Sequence, residues 1–145
     1  MIGLDVKRMF FNSKTVRSKT DKATRRVLSK FGAFVRQTAK RSIRKRKKAS
    51  QPGKPPSSHI GLLKKFIFFG FDTVRRSVVI GPMRLSQKGR GEAPSVLEYG
   101  GPVTMRPRRR EGKRKRAHIR PRPFMGPAMD KEKDQLPALW RDSVK

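Results

Sequence analysis

Residues Ser50 to Asp72 read S-Q-P-G-K-P-P-S-S-H-I-G-L-L-K-K-F-I-F-F-G-F-D, and this stretch divides the chain. Pro52, Pro55 and Pro56 fix φ and lack a backbone donor, so neither helix nor sheet continues through them and an extended, turning connection is expected over 49–61. After Gly61, the residues Leu62, Leu63, Phe66, Ile67, Phe68, Phe69 and Phe71 leave no polar face. A strand of that kind is buried on both sides, by its own domain or by a neighbour. The chain before this division reads as helix, and the chain after it as strands, loops and one last helix.

Upstream, a helix is expected over 20–48. Ala23, Val27, Leu28, Phe31, Phe34, Val35, Thr38, Ala39 and Ser42 fall on one side of a helical wheel, and Arg25, Arg26, Arg36, Lys40 and Arg44 on the other. Thr20 or Asp21 offers a side-chain oxygen for the N-cap, and Val16 extends the stripe toward an earlier start. The run from Arg41 to Lys48, including Arg44, Lys45, Arg46, Lys47 and Lys48, ends the helix with positive charge. It is either a solvated helix end or a polyanion contact.

Downstream, Lys64 to Asp72 reads as a strand with Leu62 and Leu63 in a turn before it. Asp72 to Arg76 is a hairpin loop, and Ser77 to Gly81 is a second, antiparallel strand. Gln87 to Pro94 has the composition of an exposed loop. Ala93 to Gly101 contains a helical turn that can end on Gly100 in the left-handed conformation. Val103 to Arg106 and Ala117 to Arg120 are the arms of a long basic hairpin with its loop at 106–116. The C-terminal segment 124–145 holds a helix expected from Pro127 to about Val144, with Asp130, Glu132 and Asp134 in its first turns and a kink or split at Pro137. Phe124, Leu139 and Trp140 are expected to dock it. The fold class is therefore α+β: a long N-terminal amphipathic helix and a C-terminal helix packed on a small antiparallel sheet, in a single domain with a long basic loop.

Composition limits what such a chain can do. It has 145 residues, 34% of them hydrophobic, and a formal net charge of +29. The core must be small, and self-repulsion on that scale calls for a partner of opposite charge. There is no cysteine, hence no disulfide or thiolate metal site. Met1 to Arg8 lacks a signal-peptide apolar stretch, so secretion by that route is not expected. The longest apolar run is far short of the roughly 20 residues that span a bilayer, so no membrane role is expected and the protein reads as soluble.

No catalytic constellation emerges, and an enzyme is not expected. His59 and His118 have no acidic neighbour to orient them, the serines lie outside a nucleophile elbow, and no phosphate-binding glycine loop is present. Asp130 and Asp134 have helical spacing, but dipole matching explains them better than a metal does. Neither metal nor cofactor is called for. Glu98, between Leu97 and Tyr99, can pair with an arginine across a subunit contact or lie at the surface of a short helix. The signal is charge: Arg106, Arg108, Arg109, Arg110, Lys113, Arg114, Lys115 and Arg116 stand against Glu111 alone. With no aromatic interleaved and no recognition helix, they suit backbone phosphate or an acidic protein surface, without base specificity.

The blocks P-G-K-P-P-S-S-H-I-G-L-L-K-K-F-I at 52–67, V-V-I-G-P at 78–82, A-P-S-V-L-E-Y-G-G at 93–101 and R-P-R-P-F-M-G-P-A-M at 120–129 have a familiar order. The chain resembles the tailed-phage neck and tail-completion proteins of the HK97 gp10-like family over roughly residues 20–143. Members show a G-x-L-like start of the first strand, a V-E-[FY]-G block and a [RH]-P-F-[LM]-x-P-A block. Here these are Gly61 and Leu62, Leu97 to Gly100, and Arg122 to Ala128. The usual acidic D-T-G before the first strand is S-H-I-G, and the basic insert at 106–116 is long. The resemblance implies a structural virion protein at the head-tail junction, assembled in the host cytoplasm as a ring, hexameric by analogy. Such a ring joins the head connector to the tail and contacts packaged DNA or acidic neighbouring rings. Phe66, Phe68, Phe69, Phe71, Glu98 and Tyr99 are then candidates for the subunit interface. The rival from another class is a non-specific nucleic-acid-binding protein of ribosome-associated or DNA-packaging type.

Overall fold

A computed structural model of the chain describes residues 12–83, 93–105, 115–141 and 143. Helix α1 (Ser13–Ser42) is the spine, 30 residues and about 45 Å long at 1.5 Å per residue. It starts earlier than expected. Its N-cap is Asn12, whose side chain accepts the Thr15 N–H at 3.1 Å, rather than Thr20 or Asp21. Ala23, Val27, Phe31, Val35 and Ala39, spaced by four, form its buried stripe, joined by Gly32. At Ile43 the backbone turns extended and the helix ends, so Arg44 to Lys48 lie beyond it.

The chain then forms β1 (Arg44–Lys45), crosses the proline-rich connection and pairs it in parallel with β2 (Ser57–Ser58). The connection is docked: Pro56 is fully buried, Gly53 donates its N–H to the Pro121 carbonyl at 2.9 Å, and Arg122 Nε donates to the Ser50 carbonyl at 2.9 Å. One helical turn, α2 (Leu62–Lys65), leads into β3 (Ile67–Asp72), which pairs antiparallel with β4 (Ser77–Pro82). Asp72 shapes the loop between them, its carboxylate accepting the Val74 and Arg75 N–H groups at 2.9 and 3.1 Å. A second short helix, α3 (Ala93–Tyr99), ends on Gly100 at φ 77°, as expected of a left-handed cap. Strands β5 (Gly101–Met105) and β6 (Lys115–Ile119) form the arms of the basic hairpin. The expected loop around Gln87 and the basic loop from Arg106 to Arg114 lie outside the described residues.

The C-terminal region is split, as expected, into α4 (Met125–Lys133) and α5 (Leu136–Arg141), both packed on α1. The break falls at Asp134 and Gln135, ahead of Pro137, which sits in the first turn of α5 where proline is tolerated. The acidic residues are a correction. Because α4 begins at Met125, Asp130 and Glu132 lie in its second half and Asp134 beyond it, so the dipole does not explain them. Asp130 pairs with Lys133 at 3.3 Å, and Glu132 is buried between the helices, where it accepts from Thr38 Oγ1 at 2.6 Å and Gln135 Nε2 at 2.9 Å.

One cluster forms the core: Phe31, Val35, Ala39, Ile43, Ile67, Phe124 and Ala128, with Leu63, Val78, Ile80, Leu97, Leu136 and Leu139 half-buried around it. The α+β architecture holds, with three separate two-stranded ladders among the described residues in place of one sheet. Among the described residues, no helix is long and apolar enough to cross a membrane.

Candidate subunit and nucleic-acid interface

Strand alternation decides which side chains of the phenylalanine-rich stretch remain free. Ile67, Phe69 and Phe71 share one face with Val78 and Ile80 across the ladder, while Phe68 shares the other with Val79. The first face lies on α1. Gly32 makes that approach possible, since a Cβ there would stand 2.7 Å from Val78 Cγ2 and 2.9 Å from Phe69 Cδ2. Arg36 Nε pins the strand by donating to the Ile67 carbonyl at 2.8 Å. The second face is only partly covered within the described residues: Phe68 is 46% and Val79 66% exposed. The expectation of a strand buried on both sides is thus corrected for the chain by itself. Ile67 alone in β3 is fully buried, and Phe69, at the margin of the covered face, is still 37% exposed.

Two cations frame this partly covered phenylalanine. The Arg36 guanidinium and the Lys40 ammonium each stand 5.9 Å from the centroid of the Phe68 ring. Burial, and then the charges of Arg36 and Lys64, hold Lys40 below the ordinary lysine pKa. Phe66, half-buried at the end of α2, lies 6.5 Å from the Phe68 ring, and Phe71 is half-buried at the far end of β3. An open ladder bearing an apolar patch rimmed by positive charge suits a partner that is apolar at its centre and acidic at its edge.

Glu98 lies on the short helix α3 and takes on a role within the chain. It faces the N-terminus of α4 and accepts three backbone N–H groups: Phe124 and Met125 on Oε2 at 2.8 and 3.0 Å, and Gly126 on Oε1 at 2.7 Å. The next residue, Pro127, has no N–H to satisfy. One carboxylate therefore completes a helix start whose own N-cap residue, Phe124, has no acceptor side chain. The same two segments meet twice more. Arg122 donates its N–H to the Leu97 carbonyl at 2.7 Å, and Gly100 lies so close to Ile119 and Pro121 that a Cβ would sit 3.0 Å from each. Tyr99, next to Glu98, is 82% exposed.

The basic candidates divide. Arg44 and Lys45 in β1, and Arg46, Lys47 and Lys48 after it, are all exposed. Lys115 and Arg116 are exposed at the open end of β6, opposite Met105 and Thr104. Arg106, Arg108, Arg109, Arg110, Lys113 and Arg114 lie outside the described residues. His59 and His118 are exposed. Among the described residues, no three of His, Cys, Asp or Glu converge on a point. No protein-family model, curated protein or solved structure matches this chain.

Proposed function

We propose that this chain is a structural subunit of the head-tail junction of a tailed bacteriophage, forming a ring that joins the head connector to the tail. The observation that carries the reading is the contact of Glu98 with residues Phe124 to Gly126. It joins the L-E-Y-G block to the R-P-F-M-G-P-A block, so two stretches on which the family resemblance rests are halves of one interaction. That gives a physical reason for the blocks to occur together. The open outer face of β3 and β4 supports assembly, because a two-stranded ladder with exposed Phe68 and Val79 gains from a neighbouring subunit. The net charge of +29 suits a component that meets packaged DNA or acidic neighbouring rings.

A nonsense mutation early in the gene tests the proposal through microscopy of infected-cell lysates. Heads and tails should form and remain unjoined, or heads should lose DNA, and purified protein should restore joining. Normal infectious particles, or an earlier failure in genome replication or translation, would instead favour a general nucleic-acid-binding protein.

A further inference from the structure

Between the last turn of α1 and the proline-rich connection lies an open cleft of about 670 Å³. Arg41 enters it from the helix, Arg44 and Arg46 from the extended stretch just after it, and Lys54 from the connection. Alternation accounts for the middle pair: side chains two apart on an extended backbone share a side, and Lys45 between them points away. Ser50 and Ser57 complete the wall. Four cations and no carboxylate stand among its described lining residues. The helix end contributes only about half a negative charge, which four cations outweigh. Ser50 Oγ is shielded from solvent and has no hydrogen-bond partner among the described residues, a donor that the fold does not use.

We propose that this cleft binds the phosphodiester backbone of double-stranded DNA. Arginine forks match phosphate oxygens bidentately, and three of them converge here. An acidic protein segment fits less well. Tight protein contacts are anchored by large apolar or aromatic side chains in pockets, whereas Ala49 and Pro55 are the only apolar residues among the described lining residues here. No aromatic side chain is among the described lining residues, so bases have nothing to stack on and the contact is to the backbone of a duplex. The site is also held in place. The hydrogen bonds from Arg122 to Ser50 and from Gly53 to Pro121 fasten its wall to the residues just after β6, the arm bearing exposed Lys115 and Arg116. The cleft and the β6 arm thus share one support.

The inference deepens the DNA contact of the proposed function and is read on a different assay. The full chain is titrated with a fluorescent random-sequence duplex across roughly 50 to 200 mM salt, beside two variants that each lose three positive charges. R41Q/R44Q/R46Q empties the cleft of arginine. K19Q/K22Q/R26Q removes exposed charge about 22 Å or more away along the same helix. The slope of log K against log salt should fall by about 2 to 3 for the cleft variant and by less than about 1 for the control. Equal losses would overturn the site in favour of diffuse attraction. Polyglutamate of matched charge bound as tightly as the duplex would overturn it in favour of an acidic protein. If the triple variant unfolds early in urea, R44Q alone takes its place and should lower the slope by about 1, with no change counting against the site. Failure here, with unjoined heads and tails still found in the nonsense mutant, removes the cleft and leaves the junction role standing.

Discussion

Glu98 accepts the backbone N–H of Phe124 at 2.8 Å, across 26 positions of chain, and so lets a helix begin on a residue that cannot cap itself. Replacing Glu98 by alanine strands the Phe124, Met125 and Gly126 donors at the edge of the core. The expected cost is about 2 to 3 kcal/mol in urea unfolding, the range of a lost cap with charge-assisted hydrogen bonds. Glu98→Gln keeps an acceptor and should cost less. A change in Glu98→Ala below about 0.5 kcal/mol would mean that α4 starts without this carboxylate.

Gly32 gives a prediction of sign. In an exposed helix, Gly→Ala stabilises by about 0.5 to 1 kcal/mol. Here the new methyl would meet Val78 Cγ2 at 2.7 Å and Phe69 Cδ2 at 2.9 Å, pushing the β3–β4 ladder off α1. Overpacking of this kind costs about 1 to 3 kcal/mol, so Gly32→Ala should destabilise. Thermal unfolding reads the direction at once.

Much of this arrangement is legible in the sequence, and the parts that are not have physical reasons. The four-residue spacing from Ala23 to Ala39 marks the buried face of α1, but its first turns are exposed and have almost no apolar stripe, so the start at Asn12 leaves little trace. Proline favours the first helical position, which is why α4 reads as beginning at Pro127. The start at Met125 depends on Glu98, a partner far away in sequence. The phenylalanine-rich strand looks buried on both faces because Phe68 puts an aromatic on the outer one, and composition does not distinguish a face covered by the chain from one left open. The basic cleft is half visible: Arg44 and Arg46 stand in an evident charge run, while Lys54 joins them only because the proline-rich connection folds back.

Phe68 and Val79 separate assembly from folding. Both are exposed on the outer face of the ladder, so replacing them together with serine should cost the isolated chain only about 1 to 2 kcal/mol, the loss of the Phe68 contacts with Arg36 and Lys40. Self-association should weaken sharply, as read by native mass spectrometry. Unchanged oligomers would place the subunit contact elsewhere.

Lys40 predicts a dependence on pH. Its folded-state pKa is held below 10.5, first by burial and then by Arg36 and Lys64, so the folded chain releases this proton more readily than the unfolded one. The charged ammonium opposes folding at neutral pH, and that opposition is relieved as pH rises through the folded pKa toward the unfolded one. The Lys40 contribution to stability should therefore increase with alkaline pH. Lys40→Met should remove that rise and leave the chain at least as stable at neutral pH.

The most direct measurement of the central claim is electron cryomicroscopy of purified virions with the chain located by its fold. The account predicts a closed ring at the head-tail junction, with the outer face of β3 and β4 covered by an adjoining subunit and the cleft at Arg41, Arg44, Arg46 and Lys54 turned toward DNA. Particles that lack the chain altogether, or contain it as isolated monomers away from the junction, would contradict it.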